Sequence, residues 1–199
     1  MIHREQRHNA RERICSSAGA PKQATLDRWL IAGSTGPGGL RRVSRRRAFS
    51  VYSLSETFLL NNRVNLNLLD ALSDEQLAYS ANPRARSVAD QLAHLHNVRA
   101  TWMEVVSPER KLQKIGKGAS GRSDVRKALE ISAEAVAAAI AEAEQAGKMR
   151  GYKRGPAAFC GYLLAHEGHH RGQIILYLKQ AKMPVDQKVA YGIWEWEKT

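Results

Sequence analysis

The chain has 199 residues, a formal net charge of +12, 43% apolar residues and 25% charged ones, which bounds it to one ordinary globular domain with or without a tail and argues against a multidomain enzyme. Residues 1–50 hold eleven Lys or Arg against three Asp or Glu, so +8 of the +12 lies there and the basicity is a property of the N-terminal segment. The two cysteines, Cys15 and Cys160, give no disulfide framework, and no apolar run approaches the roughly twenty residues of a membrane span or the h-region of a secretory leader; a cytoplasmic protein without a membrane partner is expected.

Residues 1–50 lack sustained periodicity. They contain Gly33, Gly36, Pro37, Gly38 and Gly39 and end in Arg41-Arg42-Val43-Ser44-Arg45-Arg46-Arg47, the composition of a disordered basic extension, with a domain following over 51–199. The arginine run could contact nucleic acid or anionic lipid, and an acid-poor stretch containing Arg and Ser could be a transit peptide. The plainer alternatives are a solvated tail, or a natural start near Val51.

Ser55 to Leu72 places Leu60, Val64 and Leu68 at i+4 spacing and predicts a helix capped by Ser53 or Ser55; Asn61, Asn62, Asn65 and Asn67 are weak helix formers, so burial must hold it. Ser87 followed by Asp90 opens a helix to about Val106, ended by Pro108. Leu112 to Arg122 reads as a loop, after which Ser123 caps a helix with the stripe Val125, Leu129, Val136 and Ile140, ending at Gly147. Gly155-Pro156 begins a fourth helix reaching about Gln180. No strand pattern competes. Four amphipathic helices imply an all-α four-helix bundle, whose long connections permit other than simple up-down order. The aromatics of Tyr191 to Trp196 are expected to pack over one end.

Seven histidines are present, and the five after Val51 fall in two clusters: His94 and His96, then His166, His169 and His170. At about 100° per residue, His166 and His170 lie about 40° apart on the face of Phe159, Leu163, Ile174 and Tyr177, while His169 falls outside it. On the second helix the apolar arc is Leu92, Leu95, Val98, Trp102 and Val105; His94 lies within about 40° of Val98 and His96 is about 160° from His94, so only one of the two can join the site, and His94 is favoured. Three neutral imidazoles between facing helices suit a divalent transition metal, zinc or nickel, with a position open for water or substrate. The alternative is that each is a hydrogen-bonded core residue, which is harder to sustain for a pair on one apolar face, because an unpaired buried ring costs about 1–3 kcal/mol. The string His166-Glu167-Gly168-His169-His170 also matches His-Glu-x-x-His, in which Glu167 would be the general base of a zinc peptidase, although no strand is available to bind a peptide.

Ser87-Val-Ala-Asp-Gln-Leu-Ala-His94-Leu with Arg99 and Trp102, together with His166-Glu-Gly-His-His170-Arg171-Gly172-Gln173-Ile174, resembles the two signature segments of the DinB/YfiT-like superfamily over about Leu54 to Trp196. The resemblance implies a four-helix bundle of the DinB/YfiT type binding a divalent metal through three histidines, carried onto His94, His166 and His170, with Gln173 available to hydrogen-bond behind the ligands and Gly172 permitting a close helix approach. Cys160, about 9 Å along the helix from His166, is read as a buried structural thiol. The resemblance further implies a bacterial metal-dependent enzyme of thiol S-transferase or hydrolase type, using a low-molecular-weight thiol such as bacillithiol, mycothiol or glutathione and acting on an electrophilic small molecule. The alternative of another class is a non-catalytic metal-binding, stress-related bundle, dimeric through exposed helix faces.

Overall fold

The computed structural model describes residues 53–118 and 121–196; the expectations for residues 1–50 lie outside the described residues. Ser53 opens the first helix. Its Oγ accepts from the Glu56 N–H while the Glu56 carboxylate accepts from the Ser53 N–H, a reciprocal cap that fixes the start of α1, Leu54–Ala71. A second such box, Ser73 with Gln76, starts the short α2, Asp74–Ala78, an element too short to carry a legible period. Ser87 caps α3, Val88–Val106, through the Asp90 N–H at 3.0 Å. Asp90 does not complete the box: its Oδ1 accepts from the Gly118 N–H instead. Helix α4, Arg122–Ala146, begins on Gly121 with no side-chain cap, so the cap expected at Ser123 is not used. It ends, as its glycine predicts, at Gly147 in the left-handed region with φ 65°. Helix α5 spans Gly155–Gln180 with Pro156 in its first turn, and α6 spans Gln187–Gly192. No strand occurs among the described residues beyond a single Met149–Tyr152 bridge.

Cross-helix contacts set the helix directions. Arg122 at the start of α4 donates to the carbonyls of Leu69 and Leu72 at the end of α1, while Leu54 at the start of α1 meets Glu144 at the end of α4, so these two helices are antiparallel. Asn61 and Asn65 meet Glu167, and Asn65 meets Arg171, so α1 and α5 run parallel. His96 meets Ala128 and Arg99 meets Ser132, so α3 and α4 also run parallel. The order is therefore up, down, down, up, with α1 and α3 each packed on both α4 and α5. Two consecutive parallel helices require a connection that returns along the bundle, and among the described residues 107–118 run in it. This crossover runs back along α3, tied by Lys114 to Glu104, by Ile115 to Asn97 and by Gly118 to Asp90.

The apolar core lies in two clusters, one around Leu68, Leu92, Leu129 and Ile174 and the other around Phe58, Met103, Val136, Ile140, Phe159 and Leu163. The expected α4 stripe, Val125, Leu129, Val136 and Ile140, is fully buried. Three expectations are corrected. Leu60 is only half-buried, whereas Asn61, Asn62 and Asn65 are buried. Val105, placed on the apolar arc of α3, is exposed. Tyr191 and Trp194 are 64% and 78% exposed; α6 packs through Val189, and its one turn and a half is too short to fold both rings back.

Gly151 has φ 67°, and a Cβ there would come within 2.3 Å of Val105 Cγ1. Gly151→Ala is expected to lower unfolding stability by about 1–2 kcal/mol, combining left-handed strain with a steric clash; an unchanged urea midpoint would show that the 147–154 connection relaxes freely.

Candidate metal centre

Helices α3 and α5 run antiparallel, so Trp102 meets Phe159 and Tyr162 at one end of their contact while His94 meets His166 and His170 at the other. The ring centroids of His94 lie 5.4 Å from His166 and 4.9 Å from His170, and those of His166 and His170 lie 4.7 Å apart. One ring nitrogen from each lies within 4.8 Å of the others, close enough for one ion. His94 and His166 are half-buried and His170 is buried. The Nδ1 atoms of His166 and His170 are buried without a hydrogen-bond partner, so neither ring is tied to the protein through that nitrogen, and burying it unpaired has a cost.

Electrostatics keep these rings neutral. Burial is the main cause in each case: it lowers the His94 pKa with help from the charges of Arg86 and His166, and lowers that of His166 against the opposing charge of Glu167. His170 falls to about 4, from burial followed by the charges of His166 and His94. Neutral imidazoles offer lone pairs, the state in which they ligate. Three nitrogen donors without a carboxylate or thiolate suit a borderline divalent metal better than calcium or magnesium.

The DinB family model matches residues 49–187. The chain belongs to the DinB family. No curated protein and no solved structure matches it. Of the two other described histidines in this DinB chain, His169 is exposed, with its ring edge-on to that of His170 at 5.3 Å. His96 is buried, with Nδ1 2.9 Å from the Ala128 carbonyl and Nε2 2.8 Å from that of Gln113, so it ties the crossover to α3 and α4.

Glu167 is a correction. Rather than facing the triad as a general base, it is fully buried on the core side of α5. Its Oε1 accepts from Arg99 Nε at 2.7 Å; its Oε2 accepts from Arg99 Nη2 at 2.9 Å, Asn61 at 2.6 Å and Asn65 at 2.7 Å. Burial pushes its carboxyl up, but the charge and hydrogen bonds of Arg99, the hydrogen bond of Asn65 and the charge of Arg171 outweigh this and hold it below its ordinary value. Arg99 also donates to Asn62 Oδ1, the Leu129 carbonyl and Ser132 Oγ, and lies over the Phe58 ring at 5.0 Å. Arg171 donates to Asn65 Oδ1 at 2.6 Å. This polar layer joins all four long helices between the two apolar clusters, directly behind the histidines. It fixes α5 at the residue between His166 and His170, and so sets the rotation of both rings.

The hydrogen bond expected of Gln173 is not formed with any described residue; the side chain is half-buried. Gly172 is exposed with open space around it, so it marks no close helix approach. Cys160 is the buried thiol expected, donating to the Leu54 carbonyl at 3.6 Å, with burial pushing its pKa up to about 11. An aromatic wall adjoins the triad, made of Trp102 and Phe159, which periodicity placed on inward faces, with Tyr152 and Tyr162, which it did not single out. Tyr162, 40% exposed, stacks on His166 at 6.2 Å, and Trp102 packs edge-on against Tyr152, Phe159 and Tyr162. For Tyr162 the sequence signal is its i, i+4 spacing to His166.

Proposed function

We propose that the chain is a divalent-metal-dependent enzyme of thiol S-transferase or hydrolase type, holding zinc or nickel through His94, His166 and His170 and acting on an electrophilic small molecule in the cytoplasm. The observation that carries this reading is the convergence of three neutral rings, two with unpartnered buried nitrogens, at a half-open edge of the bundle. A bound divalent ion with an open position would lower the pKa of a thiol or water there and supply a nucleophile near neutral pH. The chain's own contribution is to keep the imidazoles unprotonated by burial, to hold their rotation through Glu167, and to shield one flank from water with Tyr162 and Trp102. Peptidase chemistry is disfavoured, because the four hydrogen bonds to Glu167 leave no oxygen directed at the triad.

Protein purified without an affinity tag is expected to contain near-stoichiometric divalent metal by elemental analysis. With an added thiol and an aryl halide electrophile it should exceed the background rate, and His166→Ala should return it to background. Equal rates in the two proteins would favour a non-catalytic binding bundle. The lowered histidine pKa values also set a pH expectation. Protons compete for the ligands only as the pH falls through those lowered values, so half of the metal should still be held below pH 6.5. Release centred above that pH would contradict the site described.

A further inference from the structure

We propose that the cavity between the N-terminal half of α3 and the crossover is an anion subsite of the metal centre, taking a carboxylate or similar small oxyanion carried by the reacting thiol or by its electrophile. This rests on the metal-site reading above. The cavity measures about 190 Å³ and is lined by Arg86, Asp90, His94, Asn97, Gly116 and Lys117 among others. One wall therefore carries a ligand of the triad, His94, so a molecule filling the cavity would lie beside the centre. About 30 Å³ per water gives it room for roughly six waters, enough for a carboxylate and a few carbons.

The charges in it are not balanced internally. Arg86 and Lys117, both exposed, make no hydrogen bond or ion pair with a described residue, as is true of several other surface cations; what sets these two apart is that they line one cavity together with His94. Asp90 is the one acidic residue in the lining, and its Oδ1 already accepts the Gly118 N–H at 2.9 Å. Asn97 is likewise committed, donating to the Ile115 carbonyl at 2.8 Å and accepting from its N–H at 2.9 Å. Those bonds fix the crossover against α3 and hold residue 117 at the cavity. The charge of Arg86 reaches both His94 and His170, so an anion paired with it would lie beside the triad. Two uncommitted cations around a preformed polar cavity recognise negative charge by charge-assisted hydrogen bonds.

The test compares mercaptoacetate with 2-mercaptoethanol, thiols of similar size that differ in charge, on the metal-free full chain, followed by amide NMR shifts. Mercaptoacetate should give saturable shifts at Ile115, Gly116 and Lys117 and bind at least about tenfold more tightly than 2-mercaptoethanol. Arg86→Gln and Lys117→Gln should each reduce that preference while leaving the metal content of the loaded protein unchanged. Acetate supplies a further arm with zinc present: mercaptoacetate binding more tightly than acetate assigns the anion to the thiol, and equal binding assigns it to the electrophile. Equal shifts from the two thiols, or a preference that survives both substitutions, would overturn the subsite. Failure to take up zinc while the anion shifts persist would sink the metal-site reading and leave the anion cavity standing.

Discussion

Arg99→Met is expected to cost the fold about 3–5 kcal/mol at pH 7, because removing one member of a buried ion pair leaves the other charge uncompensated in the core. Arg99 and Glu167 are both fully buried and meet through two hydrogen bonds of 2.7 and 2.9 Å. Without the guanidinium, the Glu167 carboxylate keeps hydrogen bonds only from Asn61 and Asn65 and the more distant charge of Arg171, while the Asn62 and Ser132 side chains lose their Arg99 partner. The pH dependence follows from the sign of the shift. In the wild type the folded pKa of Glu167 lies below 4.5, so its contribution is present above that value and lost as the pH falls through the lowered folded pKa. In the variant burial acts unopposed by Arg99 and the carboxyl takes up a proton at higher pH, so the two stabilities should converge on acidification. Urea denaturation at neutral and acidic pH measures both quantities. The double variant Arg99→Met, Glu167→Met should recover much of the loss, since a well-packed apolar pair can replace a buried ion pair. A single-variant loss under about 1 kcal/mol, or one that does not shrink at low pH, would remove the polar layer from the account of how the histidines are held.

His170→Ala should separate metal binding from folding. Zinc at about 100 times its dissociation constant stabilises a protein that binds it only when folded by about 2.7 kcal/mol, and this increment should appear in the wild type and be absent from the variant. Metal affinity should fall by more than about 100-fold, since loss of an outer hydrogen-bonding partner alone costs about 10–100-fold. The metal-free proteins should differ little at neutral pH, because the ring removed has a buried, unpartnered Nδ1. On acidification they should diverge. The folded pKa of His170 is about 4 against an ordinary 6.5, so the wild type loses stability as the pH falls from 6.5 toward 4, and the variant escapes that loss. Isothermal titration with zinc and thermal melts with and without metal test this; retained zinc stabilisation in His170→Ala would show that the ion, if bound, sits elsewhere.

The helices were legible in the sequence because their ends are written locally. Ser53, Ser87, Gly147 and Gly155-Pro156 each stop or start a backbone through groups within a few residues. The histidine set was legible for a related reason: residues 166 and 170 share a face on any helix, His94 lies on the apolar arc of its own helix near Val98, and the resemblance names the same three. The asparagines were not. Asn61, Asn62 and Asn65 are poor helix formers that look like surface residues until a partner is known, and their partners, Glu167, Arg99 and Arg171, lie on other helices. The role of Glu167 was not legible, because a five-residue motif fixes spacing but not what stands on each side of the helix; only the peptidase alternative gave it one. Arg86 and Lys117 carried no signal at all, since only the return of the crossover along α3 brings them to one cavity.

The amino-acid order by itself thus determined where four long helices begin and end and which rings share a face, since caps and periodicity act over one or two turns. Tertiary structure decided which polar residues enter the core, that Glu167 anchors α5 instead of serving the triad, and that the crossover closes a cavity beside His94. Those outcomes depend on groups 17 to 106 residues apart in sequence, whose desolvation is offset only after the helices have met.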